Sequence, residues 1–515
     1  MVWRARYGGR LGQITAAMGL GLALGLLTRK VISWAGSSNY RLAIVACLIL
    51  FIVGVVVSVD ARKVLLVCVA LTIPVNLSFA QLGQQVLVNH GGAAAGFVLY
   101  LYDLPLLLLL VIWLFDTLSG KEPFFVTPVD LVALLVIAWS VLSMYNAPDL
   151  GLSAAELLRM FKLYLLARAA MTYIKSRAMM RLVLAALFVG LMGQSLLALL
   201  QYTRGARFGL GDFTVGDTSV NGVRVSGTIG WPNTLGAYAA ALTVLAFSVW
   251  VCGASGVLSL LVPIAFVTGL APVILSFSRG AWFSLVIGLC VCFWLAVYAR
   301  KTSFRRLVAV GAGLVVALIL VLPFQGAIVQ RLSTLTASAS QVVDRLYLDQ
   351  VALNMIRQHP LLGIGINNFV AVMPRYDTTG VSLYFLQPVH NWFLFVAAET
   401  GLPGLALRLL LIGLLLGAAL HTARSADRFW VACGIGLVGA FVVLSCTNLV
   451  DVHLSTDVMQ GLFWLLVGLT LAANRLGVGA NAREAVVAPH AAPAGQARQG
   501  SLAFTRAHDD PAGPF

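Results

Sequence analysis

The sequence has little charge for its length. Only 10% of its 515 residues are Asp, Glu, Lys or Arg, whereas 60% are hydrophobic. Soluble domains carry about 25% charged and about 45–50% apolar residues, so this composition excludes a soluble enzyme. The apolar residues form long uninterrupted runs, and this pattern is typical of a protein that crosses a membrane many times.

The sequence also lacks the residue patterns that hold metals or form disulfides. Its seven cysteines all lie inside apolar runs, and none of their spacings suits a zinc site or an extramembrane disulfide. No Asp-x-Asp pair in an outer loop suggests a bound metal. We therefore expect no metal site and no other cofactor. The net charge of +15 is expected from loops beside a membrane rather than from contact with nucleic acid.

The apolar runs predict an all-α integral membrane protein. About 12–14 of them approach the roughly 20 residues that a helix needs to cross a bilayer core. We expect the membrane domain to extend from residue 1 to residue 473, with its first two spans at Leu11–Leu27 and Leu42–Val59 and a later one at Leu307–Phe324. The basic residues of the short loops fall on one face, which the charge-bias rule makes cytoplasmic.

Two long loops then lie on the outer face, at residues 203–234 and 325–390. A loop as long as the second is usually functional or a small domain. Within it, Gln341–Arg357 has the spacing of an amphipathic helix. Its predicted apolar face consists of Val342, Val343, Leu346, Leu353 and Ile356. Residues 474–515 have no apolar period, so we expect a disordered cytoplasmic tail.

The outer loops carry arginine and, after the first hairpin, no lysine. The arginines are Arg204, Arg207, Arg224, Arg279, Arg331, Arg345, Arg357 and Arg375. A guanidinium binds phosphate through two parallel hydrogen bonds and keeps its charge, whereas lysine acts as a point charge. This bias indicates an anionic ligand at the outer membrane surface. Ordinary loop solubility and contact with lipid head groups are the alternative explanation.

Three short segments stand out beside these loops, at Arg224–Asn233, Ser276–Trp282 and His390–Gly404. In the second, Arg279 lies at a membrane boundary, where an ionisable residue needs a partner or a role. In the third, His390 opens a span and has a side chain that acts as a general base near neutral pH, although a lone histidine is more often structural.

Glu399 lies nine residues after His390, so the two would face opposite sides of a straight helix. Gly401 and Pro403 are expected to break that helix, and broken helices often line polar cavities.

Together with Ser278–Gly280 and His359–Asn368, these segments resemble the O-antigen ligase and polysaccharide polymerase superfamily. The motifs that carry the resemblance lie between Arg224 and Gly404. The number of helices and the large late loop extend the resemblance to most of the membrane region. It implies a multi-pass protein of the bacterial inner membrane with the type-C glycosyltransferase architecture. It also implies a metal-independent, inverting glycosyltransferase whose active site faces the periplasm and whose donor is a glycan linked to undecaprenyl diphosphate.

The resemblance assigns roles to particular residues. Arg224 and Arg279 match the arginines that bind the diphosphate, and Arg345 is a looser match. His390 matches the base that acts on the acceptor hydroxyl. Asn233 and Glu399 are candidates for supporting roles. Fixed guanidinium groups stabilise the charge that develops on the departing diphosphate, and a neutral imidazole accepts the proton of the acceptor.

The acceptor stays open at this point. A ligase would move a finished glycan onto lipid A–core, and a polymerase of O-antigen or exopolysaccharide would move it onto the next lipid-linked unit, with a chain-length regulator as a further partner. A transporter or flippase for lipid-linked glycans is the competing class. It favours charges near the bilayer midplane and repeated broken helices, whereas this sequence has its arginines at the outer boundary and no internal repeat.

Two charged regions have no assigned role. Arg159, Lys162 and Arg168 make one span unusually basic, so that helix either lies flat at the interface or brings its arginines to the site. Asp451 and Asp457 flank His453 in the last outer loop, and we interpret both as solvated loop or lid residues.

Overall fold

The computed structural model describes residues 60–82, 96–204, 224–253, 258–299 and 339–487, with Gly256 and single positions between 305 and 329. Within these ranges nearly all regular structure is helical, and eight helices are long and apolar enough to cross a membrane. This confirms the all-α membrane protein. The predicted spans Leu11–Leu27 and Leu42–Val59 lie outside the described residues, as does most of Leu307–Phe324.

The described elements are numbered here in chain order. The helices are α1 (Ala61–Thr72), α2 (Asp103–Leu118), α3 (Pro128–Ser143), α4 (Leu150–Tyr173), α5 (Arg177–Arg204), α6 (Pro232–Cys252), α7 (Leu258–Leu275), α8 (Arg279–Tyr298), α9 (Ala339–Gln358), α10 (Phe369–Tyr376), α11 (Trp392–Thr422), α12 (Arg428–Thr447) and α13 (Asp457–Val487). Short 3₁₀ helices lie between the α-helices at Met144–Asn146, Val381–Leu383 and His453–Ser455. Two short strands, β1 (Ser78–Leu82) and β2 (Phe97–Tyr100), pair antiparallel.

Two groups of helices form the bundle. In one, α6 is almost completely buried between α7, α8 and α12. In the other, α13 packs on α4, and α11 packs on α3 and α13. The contact of α11 with α12 joins the two groups. The last helix continues to Val487, beyond the predicted boundary at residue 473, and residues 488–515 lie outside the described part.

The basic helix α4 lies inside the bundle and not flat on the membrane. Arg159 and Arg168 are each 1% exposed. The ion pairs are Arg159 with Glu156 and Asp457, Lys162 with Asp103, and Arg168 with Asp130. A buried charge is tolerated only with a partner, and α4 obtains its partners from α2, α3 and α13. The interpretation of Asp457 as a solvated loop residue is therefore wrong.

The late loop is a small helical layer with its own core. The predicted helix Gln341–Arg357 is confirmed as α9, but the predicted buried face is wrong. Val342 and Leu346 are half or more exposed. The opposite face is buried against α10 and the start of α11, and it consists of Leu348, Val351, Ala352 and Met355. The pattern misleads because both faces of α9 carry apolar residues.

The loop after α9 docks on a break in α11. Gly401 has φ 71° and ψ 176°, which confirms the break predicted there. Three backbone hydrogen bonds hold the loop at this point: Ile364 N to Ala398 O, 2.9 Å; Gly365 N to Glu399 O, 3.1 Å; and Leu402 N to Pro360 O, 2.8 Å. In the fold, the segment His359–Asn368 therefore packs directly on the segment Glu399–Gly404, although the two are separate in the sequence.

Replacing Gly401 by alanine is expected to destabilise the fold by about 2 kcal/mol or more, because this backbone conformation is nearly restricted to glycine. A Cβ at residue 401 would also lie 2.0 Å from the carbonyl oxygen of Leu361. The thermal unfolding temperature of purified protein in detergent measures the effect. Gly413→Ala, on the same helix and with no atom within 4 Å of the added Cβ, is the control. Equal unfolding temperatures for the two variants would contradict the prediction.

Candidate active site at the end of the bundle

A chain of hydrogen bonds joins Arg224 to His390. Arg224 donates from Nε to the Ser276 carbonyl (3.0 Å) and from Nη2 to Oδ1 of Asn233 (2.6 Å). Asn233 donates to Oδ2 of Asp451 (2.9 Å), and Oδ1 of Asp451 lies 3.3 Å from Nδ1 of His390. Residues from three distant parts of the sequence therefore meet at the ends of α6, α11 and α12.

Two further arginines lie near each other. Arg279 begins α8, and Arg345 lies on α9 close enough for the two positive charges to repel. Neither guanidinium has a hydrogen bond or salt bridge to another residue that the structure describes. The N-terminus of α8 adds the positive end of a helix dipole at the same place. The arrangement leaves positive charge that an anion would neutralise.

Asp349 connects this arginine pair to the histidine. It lies one turn after Arg345 on α9 and interacts electrostatically with both Arg345 and His390. Burial raises the pKa of the Asp349 carboxyl, and the two neighbouring groups only partly oppose this shift. Arg279, Arg345, Asp349 and His390 are therefore connected through successive electrostatic interactions.

The segment Ser276–Trp282 is shaped to place Arg279. Phe277 is buried and has φ 51°, an uncommon left-handed conformation for a bulky residue. Ser278 then caps α8 by accepting a hydrogen bond from Ala281 N. A Cβ at Gly280 would lie 2.6 Å from the Val450 side chain, so glycine allows α8 to approach the loop that carries Asp451.

His390 is held immediately before the first turn of α11. The side chain of Asn391 caps this helix by accepting from Phe393 N and Leu394 N, which fixes where the helix begins. The backbone N–H of Trp392 donates to the carbonyls of Asn448 and Asp451, 2.9 and 3.2 Å away. The imidazole of His390 itself is 12% exposed, so it is accessible from only a small opening.

Asp451 is a site residue that the sequence analysis missed. Burial alone would raise its pKa, but interactions with His453 and His390 and a hydrogen bond from Val452 N bring the pKa of Asp451 below its ordinary value. The pKa of His453 is lowered, chiefly by burial. An ionised carboxylate at Nδ1 of His390 favours the tautomer with its proton on Nδ1, which leaves Nε2 as the acceptor. The interpretation of Asp451 as a solvated loop residue is therefore wrong.

The structure brings together most of the residues predicted from the sequence. Arg224, Asn233, Arg279, Arg345 and His390 lie in the one cluster described above. Glu399 does not face this cluster: its Oε1 accepts a hydrogen bond from Phe369 N (3.1 Å) beneath the docked loop. The predicted outer arginines Arg207 and Arg331 lie outside the described residues.

Asp451→Asn is expected to lower kcat of the site's reaction by at least about tenfold, because an amide no longer favours the Nδ1-protonated tautomer of His390. The steady-state rate with saturating substrates measures the effect. Asp344→Asn is the matched control, since Asp344 accepts a hydrogen bond from Tyr384 on the late loop and has no contact with His390. Equal rates for both variants would show that Asp451 does not act through His390.

The fold and the site define an integral membrane protein with an arginine-rich, histidine-containing site at one end of its helix bundle. Residues 264–409 match the family model described as O-antigen ligase, which confirms the resemblance to that superfamily. The matched segment contains Arg279, Arg345, His390 and Glu399, whereas Arg224, Asn233 and Asp451 lie outside it. No curated protein matches the chain significantly.

Proposed function

We propose that the protein transfers a glycan from undecaprenyl diphosphate to an acceptor hydroxyl at the periplasmic face of the bacterial inner membrane. One observation carries the proposal: the hydrogen-bonded chain that ends at His390 begins at Ser276, close to Arg279, and neither Arg279 nor the neighbouring Arg345 forms a salt bridge with a carboxylate among the described residues. Two guanidinium groups in this state suit a diphosphate, which accepts parallel hydrogen bonds from each. The O-antigen ligase match over residues 264–409 supports the same assignment.

The donor end of the site stabilises the leaving group. When the bond between the anomeric carbon and the phosphate oxygen breaks, both electrons go to the departing undecaprenyl diphosphate. We propose that Arg279 and Arg345 stabilise the negative charge that develops there, as preorganised donors do in other active sites. Arg224 is anchored to Ser276 and Asn233, and it links the diphosphate end of the site to Asp451.

The acceptor end supplies the base. Nε2 of His390 takes the proton of the acceptor hydroxyl while the hydroxyl oxygen forms the new bond to the anomeric carbon. Asp451 holds Nδ1 and stabilises the imidazolium that forms. Attack from the side opposite the leaving group inverts the anomeric centre. Arginine side chains supply the electrostatic stabilisation, so the proposed reaction needs no metal.

The distribution of basic residues supports the proposed orientation. α12 begins at Arg428 and ends just before Asp451, and α5 begins at Arg177, so these arginines lie at the end of the bundle away from the site. Arg177 pairs with Asp427, which also lies at that end. Lys and Arg in short loops favour the cytoplasm. The site then faces the periplasm.

Purified protein in vesicles with lipid-linked donor and acceptor tests the proposed function. A transferase releases undecaprenyl diphosphate and forms acceptor-linked glycan. A transporter, the competing class, moves the lipid-linked glycan across the vesicle with its diphosphate bond intact. Transport without bond cleavage would therefore contradict the proposal.

Deletion of the gene separates the two acceptors. A ligase leaves long lipid-linked chains that are not attached to lipid A–core. A polymerase, of O-antigen or exopolysaccharide and with or without a chain-length regulator, leaves single lipid-linked repeat units.

A further inference from the structure

A cavity of about 90 Å³ lies within the bundle between α3, α4, α11 and α13. Its volume is several times the roughly 10–15 Å³ that one water molecule needs. Trp392, which follows His390 by two residues and is bonded through its backbone to the Asp451 carbonyl, forms part of its wall. The cavity therefore adjoins the site of His390 and Asp451 without containing either residue.

Charged side chains line this cavity although it lies within a membrane bundle. Glu156, Glu399 and Arg408 contribute to its wall, together with the neutral amide of Gln460. An ionisable residue inside a membrane bundle is costly and is retained where a ligand or a function requires it.

The guanidinium of Arg408 uses only some of its hydrogen-bond donors. Its hydrogen bonds go to the neutral oxygens of Thr400 (3.1 Å), Gly404 (3.3 Å) and Ser140 (3.3 Å). Among the residues that the structure describes, no carboxylate forms a salt bridge with it. Glu156 is instead bonded to Gln460 (3.0 Å) and to Arg159. Arg408 therefore retains donor capacity for a hydroxyl or carbonyl oxygen.

Aromatic rings complete the wall, with Trp392 and Trp464 as the largest. A pyranose ring carries hydroxyl groups at its edge, which donate to carboxylates and accept from guanidinium and amide groups. Its C–H faces are apolar and pack on aromatic rings. Apolar and aromatic lining with a few placed polar groups is the general composition of small-molecule sites, and this combination fits a sugar.

We propose that this cavity binds one saccharide unit of the acceptor, an inference that rests on the proposed glycan transfer. The acceptor is favoured over the donor because the arginines that suit the diphosphate come from different elements, namely the segment before α6 and the helices α8 and α9. The acceptor hydroxyl must reach the base from the side opposite the leaving group. A sugar bound beside Trp392 approaches His390 from the side of the bundle that α11 and α13 form.

The Michaelis constant for the acceptor tests the subsite. Lipid A–core and lipid-linked single repeat units, both isolated from a strain that lacks this protein, serve as acceptors, and the one that gives product with the wild type is used. Gln460→Leu removes an amide from the cavity wall, and Trp464→Phe keeps an aromatic ring but reduces its area. Both are expected to raise KM for the acceptor at least fivefold and to leave KM for the donor within twofold.

Thr470→Val is the matched control, because Thr470 is buried on the same helix and bonds only within it, to Leu466 O. This variant is expected to keep both Michaelis constants. If both cavity variants keep the wild-type KM for the acceptor, or raise the two Michaelis constants equally, the proposed subsite is wrong. The proposed transfer reaction is not affected by that result. If the wild type forms no product with either acceptor, both the proposed function and the proposed subsite are wrong.

The intrinsic tryptophan fluorescence, to which Trp392 and Trp464 contribute among the eleven tryptophans of the chain, gives a second measurement that needs no turnover. The probe is the free oligosaccharide released by mild acid from the acceptor that gives product with the wild type. Saturable quenching is expected with the wild type, and at least fivefold weaker binding with Gln460→Leu. Binding of equal strength in both proteins would overturn the subsite.

Discussion

His390→Ala is expected to lower kcat for glycan transfer by about 100-fold or more, since positioned general bases contribute about 10²–10⁴ to rates. The variant removes the proton acceptor but leaves the cationic cluster in place. KM for the lipid-linked donor is therefore expected to change little. Initial rates of acceptor-linked glycan formation in vesicles, at saturating donor and acceptor, measure the loss.

His421→Ala is the control for this variant. His421 lies on the same helix α11 but near its other end, where Nδ1 contacts Oδ1 of Asn474. Its replacement is expected to leave the rate unchanged. If His390→Ala forms product at the wild-type rate while keeping the wild-type unfolding temperature, His390 is not the base.

Arg279→Ala is expected to lower kcat by about 10²–10³, because removal of one preorganised donor to a developing charge has that effect. Arg279→Lys keeps the charge but loses the planar pair of donors, so it is expected to recover only part of the rate. In the proposed reaction the departing group is the undecaprenyl diphosphate of the donor, so KM for the donor is also expected to rise. Rates at varied donor concentration separate the two effects.

Arg357→Lys is the matched control, because Arg357 is exposed at the far end of α9 and outside the cluster around His390. It is expected to keep both constants. Full activity of Arg279→Lys would rule out bidentate binding at residue 279, and full activity of Arg279→Ala would remove the residue from the site altogether.

The sequence predicts the parts of the site that depend on local chemistry. An arginine at a membrane boundary and a histidine before a span make Arg279 and His390 candidates, and the family resemblance then assigns their roles. The break at Gly401 is also predictable, since glycine and proline close together interrupt a helix. The amphipathic spacing of Gln341–Arg357 predicts α9 correctly as a helix.

The features of the site and the fold that depend on long-range contacts cannot be predicted from the sequence. Asp451 lies in the short loop after α12, where aspartate is usually solvated, and only the approach of Asn233 and His390 makes it a site residue. The buried face of α9 is decided by what packs on it, not by its own periodicity. The charges of α4 are explained only once their partners on other helices are known.

The ion pairs of α4 have a consequence for how the chain enters the membrane. Asp103 and Asp130 lie on helices synthesised before α4, so the partners of Lys162 and Arg168 precede them in the chain. Arg159 pairs with Glu156 on its own helix and with Asp457 on the last described helix. We therefore expect α4 to insert more readily while α2 and α3 are still beside the translocation channel, and Arg159 to complete its pairing only after α13 has inserted.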